Sequence, residues 1–208
     1  LFADQLSALA NVSLSAPLSK VWAYLEGRDA LPPRFAIIGF GKLGGKELGY
    51  ASDLDLVFLY DDGADESAQD RYLKLARRLV TWLTSMTPAG QLYDVDLRLR
   101  PDGAKGLMSS SLKGFRRYEH EHAWTWEHQA LTRARFVAGN ASIGAAFEEE
   151  RKAILCMARD SDALRQEVVD MRLRMLAGHA NPTALFDVKH DPGGMVDVEF
   201  SVQYLVLA

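Results

Sequence analysis

Two aspartates one residue apart, Asp53 and Asp55 in "ASDLDLVFLYD", stand at the head of an otherwise apolar run. In an extended strand, residues i and i+2 point to the same face, so these carboxylates lie a few ångströms apart. Such a pair repels itself unless a cation sits between. Hard oxygen donors beside triphosphate oxygens suit Mg²⁺, which prefers octahedral geometry and shares its shell with substrate phosphate. A third carboxylate on an adjacent strand completes a two-metal cradle. Asp96 in "LYDVDLRLRP" is the candidate, with Asp94 on the same face one pleat away. The plain alternative for Asp53 and Asp55 is a solvated strand start.

Upstream, "GFGKLGGKELG" places Gly39, Gly41 and Gly44 in the spacing G-x-G-x-x-G, and Asp61 follows about twenty positions later, as in a dinucleotide-binding loop. Two physical requirements of that fold fail. Residues 45 to 52 are too few for a crossover helix, which usually needs about ten or more, and Gly49 weakens any helix there. The second strand should also be apolar throughout, which Asp53 and Asp55 violate. Lys42 follows a glycine, yet the loop lacks the P-loop spacing and its Lys-Ser/Thr ending.

A triphosphate gives the same residues a purpose. Gly41, Gly44 and Gly45 let backbone N–H groups approach an anion, with a short helix aimed at it. Ser52 offers a hydroxyl beside the acidic pair, and Lys42 or Lys46 adds positive charge. Arg98 and Arg100 alternate with Leu97 and Leu99 after Asp96, so an extended strand puts them on its face. There they either hold phosphate or form structural ion pairs.

The elements that must position these residues are legible from periodicity. Residues 3 to 27 read as helical, with Pro17 near the start of a second helix. "RFAIIGF" and "DLDLVFLYD" read as strands, residues 66 to 86 as an amphipathic helix, and "QLYDVDLRLRP" as a third strand. Beyond Ser109 the apolar spacing turns helical through "SLKGFRRYEHEHAWTWEHQALTRAR". Further helices are expected at about 141 to 158 and 161 to 178, then a Gly193-Gly194 turn and a last helix. A small sheet early and helices late make an α+β chain. The divisions are a helical lead-in over 1–33, a catalytic core over 34–110 and a helical section over 111–208.

Composition sets the outer limits. Apolar residues at 48% and charged residues at 25% are ordinary globular values. A net charge of -4 argues against a nucleic-acid coat protein. The single Cys156 suits a reducing compartment, and no apolar run approaches the roughly eighteen residues of a membrane span. The chain therefore reads as cytoplasmic, with no membrane and no nucleic-acid partner. It has no initiating Met and stops inside the apolar pattern "VEFSVQYLVLA", which reads as a piece of a longer chain. Trp124, Trp126 and His128 read as core packing, with adenine stacking as the alternative for the tryptophans. His120, His122 and His128 lack the spacing of a zinc site. Asp197 and Glu199 diverge on a helix and align on an extended segment, which with Asp187, Lys189 and His190 could fold back over the nucleotide; ordinary capping of the last helix is the alternative for Asp197.

Four blocks carry a more specific likeness. "GFGKLGGKELGYASDLDLVFLYD", "LYDVDLRLRP", "AWTWEHQALTRAR" and "FDVKHDPGGMVDVEFSVQYLVL" resemble successive segments of the bifunctional glutamine synthetase adenylyltransferase/adenylyl-removing enzyme family. That family's catalytic domains have the polymerase-β-like nucleotidyltransferase fold. The resemblance implies AMP transfer from ATP to a tyrosine hydroxyl of glutamine synthetase, with pyrophosphate released and two Mg²⁺ ions assisting. It implies Asp53, Asp55 and Asp96 as metal ligands, and Gly44, Gly45 and Ser52 at the nucleotide phosphates. Only one Gly-rich/Asp-x-Asp block is present, and the surroundings of "WE" resemble the adenylylating half. The phosphorolytic removing half and an inert nucleotide-binding module are the alternatives. A PII-type signalling protein and glutamine are the implied regulators of the full-length enzyme.

Overall fold

The computed structural model describes residues 2–61, 63, 65 and 67–208. Its centre is a pair of strands, β1 (Phe35–Gly39) and β2 (Leu54–Tyr60), which run antiparallel with Phe35 opposite Tyr60 and Gly39 opposite Leu56. A dinucleotide loop joins parallel strands, so this pairing excludes one here. Asp61 consequently lies at the end of β2 away from the glycines, where it pairs with Arg34.

Three short strands complete the sheet. β3 (Val95–Asp96) and β4 (Ser109–Ser111) run parallel to β2, beside its beginning and its end respectively. β5 (Arg135–Gly139) pairs antiparallel with β1 on its other edge. β4 and β5 were not expected, and β5 interrupts the section read as helical. The third expected strand is also shorter, because it ends at Asp96.

Both sheet faces are covered, which explains the continuous apolar run from Leu56 to Tyr60. On one face, Phe35, Ile37, Leu54, Leu56 and Phe58 pack with α1 (Phe2–Glu26) and α3 (Ala68–Thr84). Leu14, Leu18 and Trp22 face them from α1, and Tyr72, Leu75 and Leu79 from α3. The expected start of α3 at residue 66 lies outside the described residues. α1 is one helix that includes Pro17, rather than two, and it shares the sheet's own core.

On the opposite face, Ala36, Ile38, Val57 and Leu59 meet Phe115 of α4 (Leu112–Glu121) and Phe147 and Ile154 of α6 (Ala141–Leu155). Asn140 starts α6 by accepting from the Ser142 and Ile143 N–H groups, a standard way to satisfy free amide donors at a helix start. The expected long helix after Ser109 breaks between α4 and α5 (Thr125–Leu131). Glu127 fixes the break: one oxygen accepts from the Trp124 N–H at 2.9 Å, the other from the Tyr118 hydroxyl at 2.9 Å. Finally α7 (Ser161–Gly178) and α8 (Met195–Leu207) pack on each other and on α5. No helix among the described residues is long and apolar enough to cross a membrane.

Candidate active site

The link between β1 and β2 brings the glycine turn and the acidic pair together. α2 (Gly41–Gly44) is a single turn, tied to β2 by the Phe40 N–H donating to the Asp55 carbonyl at 2.9 Å. Gly41 has φ of +52°, a left-handed conformation that glycine adopts without a steric penalty. A Cβ at Gly41 would overlap the Asp55 carboxylate, so the missing side chain is what lets that carboxylate lie against the turn.

Parallel pairing sets Leu54 beside Val95 and Asp55 beside Asp96. Asp53, Asp55 and Asp96 thereby each offer an oxygen, all within 4.8 Å of one another. Their electrostatics differ. Burial, then the charges of Asp53 and Asp96, raises Asp55 to about 6. Asp96 is held below the usual carboxylate range by Arg98, whose N–H and Nε donate to its two oxygens at 2.8 and 2.7 Å. A crowded set of hard oxygen donors with one member resisting ionisation fits a divalent cation, whose charge relieves the repulsion.

The remaining candidates take varied positions. Ser52 is half-buried next to the triad, and its Oγ accepts from the Gly49 N–H at 3.0 Å. Lys42 is exposed on the glycine turn. The Gly44 and Gly45 N–H groups donate to Phe40 and Gly41 carbonyls, both at 2.9 Å, so they are engaged inside the turn rather than free for an anion. Gly44 is required for packing instead: a Cβ there would overlap the Arg133 carbonyl oxygen. Because the strand ends at Asp96, Arg98 folds back on it instead of continuing a strand face. Arg100 binds the carbonyls of Gly106, Leu97 and Ala104, at 3.1, 2.6 and 3.1 Å, and shapes the loop after β3. Asp94 is exposed and accepts from Gln91.

Gly44→Ala is expected to cost about 1–3 kcal/mol, the usual range for forcing atoms into a packed site. Gly45→Ala meets only side-chain atoms of Glu47 and Arg133, at 3.0 Å or more, and should cost much less. Urea unfolding of the two variants checks the contrast.

A cleft of about 620 Å³ opens beside Asp55. Gly41, Asp55 and Leu99 form its sheet side, and residues from α5, α7 and α8 form the other. Arg133, just past α5, reaches both Glu47 and Glu199. Spacing did not single out Arg133, Gln129 or Gln203, because helix-borne residues converge here only through packing of separate helices. Trp126 lines this cleft, whereas Trp124 is 68% exposed and is not in the core. His128 is buried as expected, and its Nε2 bonds the Glu119 carbonyl. Asp197 pairs with Arg172 and accepts from the Gly193 N–H at the start of α8, the capping role, while Glu199 faces the cleft. Asp187 instead closes a local turn with Lys189 and His190.

The chain also resembles known proteins. The family model for glutamate-ammonia ligase adenylyltransferase matches residues 2–150. A bifunctional glutamine synthetase adenylyltransferase/adenylyl-removing enzyme of Bordetella bronchiseptica is 58% identical over 99% of this chain and 22% of its own length. Proteins of the same description from Ralstonia nicotianae and Chromobacterium violaceum are also 58% identical, over 98% and 99% of this chain and 22% and 23% of theirs. The chain thus spans about a fifth of the curated relatives it matches.

Proposed function

Because the chain belongs to the glutamate-ammonia ligase adenylyltransferase family, we propose that it transfers AMP from ATP to a tyrosine hydroxyl of glutamine synthetase, releasing pyrophosphate. The observation that carries this reading is the meeting of Asp53, Asp55 and Asp96 within 4.8 Å beside the Gly41 turn. These three carboxylates would hold Mg²⁺, two ions in the full reading. Bound there, the metal supplies neutralisation of charge on the phosphate oxygens.

The chain's own groups do the positioning. The N–H groups of Gly41 and Lys42 open α2, and Ser52 and Lys42 would contribute a hydroxyl and a charge to the phosphates. Arg98 keeps Asp96 ionised, so that carboxylate stands ready beside the attacking oxygen. In the transfer, the tyrosine hydroxyl gives its proton to the Asp96 carboxylate and its oxygen bonds to the α-phosphorus, as the bond to the pyrophosphate oxygen breaks and pyrophosphate leaves. Catalysis of this kind is chiefly alignment and charge stabilisation. We place the activity in the cytoplasm, under control of glutamine and a PII-type signalling protein in the whole enzyme.

The test is incubation with α-labelled ATP, Mg²⁺ and glutamine synthetase. Label on a target tyrosine is the expected result. Production of ADP from modified target and orthophosphate instead assigns the chain to the removing half, and nucleotide binding without either reaction makes it a regulatory module.

A further inference from the structure

The cleft beside Asp55 shares Trp126 and Met171 with a second, smaller notch of about 230 Å³ between the start of α5 and α7. The two therefore form one continuous surface. Trp124 supplies the notch's exposed aromatic wall, and no structural duty accounts for it. It occupies the N-cap of α5, a position that favours a short side chain accepting from free N–H groups. An indole has no acceptor to offer. Glu127, only 7% exposed, accepts from the Trp124 N–H and from the Tyr118 hydroxyl, so the backbone under the ring is firmly placed. The ring itself is 68% exposed, with no hydrogen-bond, ring or cation partner among the described residues.

Opposite it, Glu167, Asp170, Met171 and Arg174 fall at the spacing of one face of α7. Glu167 accepts from the Thr125 hydroxyl, and Asp170 from the Gln166 amide at 2.8 Å. Among the described residues neither carboxylate has a cationic partner. The Thr125 bond sets the first turn of α5 at the Glu167 end of this stripe. Arg174 lies two turns farther along, about 10 Å by helix rise, and pairs with no acid among the described residues. The notch is therefore polarised, with its two carboxylates toward the end that carries Thr125 and its neighbour Trp124, and its guanidinium at the other.

An aromatic face flanked by carboxylates is the chemistry that receives an ammonium or guanidinium group. We propose that this notch docks a basic side chain of the protein acceptor, seated on the Trp124 ring and paired with Glu167 and Asp170, while the acceptor's tyrosine lies at the Asp55 end of the same surface. Arg174 repels a cation from its own end, so it fixes where along the notch the basic group sits. A purine base is uncharged and would leave both carboxylates unmatched, so the charge pattern selects the acceptor rather than the nucleotide. The inference rests on the acceptor being a protein, as proposed above.

The experiment measures binding of the chain to immobilised glutamine synthetase by interferometry, at low and high salt, alongside label transfer from α-labelled ATP with Mg²⁺. Trp124→Ala should weaken binding to the acceptor about tenfold, the scale of one desolvated cation–π contact, and leave the KM for ATP within about twofold. Trp124→Phe should retain more affinity than Trp124→Leu, since a ring face attracts a cation and an alkyl group does not. The double variant Glu167→Gln with Asp170→Asn keeps an acceptor for Thr125 and for Gln166, and should bind about tenfold more weakly at low salt. It should also lose most of the wild-type salt dependence, a change that lost packing does not produce. Absence of wild-type binding overturns the inference, as does equal binding by wild type, Trp124→Ala and the double variant. A raised KM for ATP with unchanged acceptor binding overturns it too, by assigning the notch to the nucleotide. If binding responds as expected while no label is transferred, the docking surface stands and the AMP-transfer reading falls.

Discussion

Asp55→Asn is expected to lose about 10²–10³-fold in AMP transfer, the scale of removing one preorganised group that stabilises the transition state, while melting no lower than the wild-type chain in EDTA. The two halves of this result have one cause. Asp55 is the most crowded carboxylate of the triad, pushed up to about 6 by burial and by Asp53 and Asp96. Its folded-state value is raised, so the stability linked to its proton is present at low pH and is lost as pH rises through about 6. At pH 7.5 without metal the ionised group therefore opposes folding, and the neutral amide removes that opposition. With Mg²⁺ present the order reverses, because the wild-type chain gains binding energy that the variant lacks. Label transfer and thermal melts with and without Mg²⁺ test both halves. Near-normal transfer by Asp55→Asn removes Asp55 from the machinery.

Glu119→Gln is expected to stabilise the protein by about 3 kcal/mol at pH 7, by linkage from its shifted ionisation. Glu119 is 5% exposed on α4, and its Oε2 has no hydrogen-bond partner among the described residues. Burial first, then the charges of Glu127 and Glu150, raises it from 4.5 to about 8. The folded chain thus keeps a proton that the unfolded chain releases. Its contribution is full below about pH 4.5, falls across the window to about pH 8, and is flat above that. His128, 3.7 Å from the same carboxylate, works in the opposite direction. Burial lowers its pKa, so stability is lost as pH falls below the ordinary histidine value of 6.5. In the wild-type chain the two slopes offset each other on the acid side. Urea unfolding from pH 5 to 9 should show Glu119→Gln losing the decline toward alkaline pH and exposing the histidine slope below pH 6.5. A parallel pair of curves would mean that Glu119 is ionised in the folded chain.

The acidic pair was legible because its cause is local, whereas Asp96 joins it through the pairing of β3 with β2. A strand alternates its faces every residue, so Asp53 and Asp55 had to project together once "DLDLVFLY" was extended. The glycine turn was legible too, though its use was not: Gly41 makes room for Asp55, and Gly44 for the Arg133 carbonyl. Both are contacts with distant residues that a spacing cannot reveal. Arg98 and Arg100 read as strand residues because alternation continued past Asp96, yet the strand stops there and hydrogen bonds to Asp96 and to loop carbonyls take over.

The amino-acid order alone thus determined the two central strands, the paired carboxylates and the helices with clear apolar periodicity, all set by interactions among near neighbours. Tertiary packing decided the rest. "RFVAG" carries no strong strand signal after helical spacing, and it is extended because β1 offers an open edge to it. The direction of β1 against β2, which separates this site from a dinucleotide loop, was fixed by how the chain reverses between them. The cleft wall draws on α5, α7 and α8, and Gln129 and Gln203 hydrogen-bond although they are 74 residues apart. Periodicity reports which face of an element is apolar; which faces meet is settled only when all of them compete to leave water.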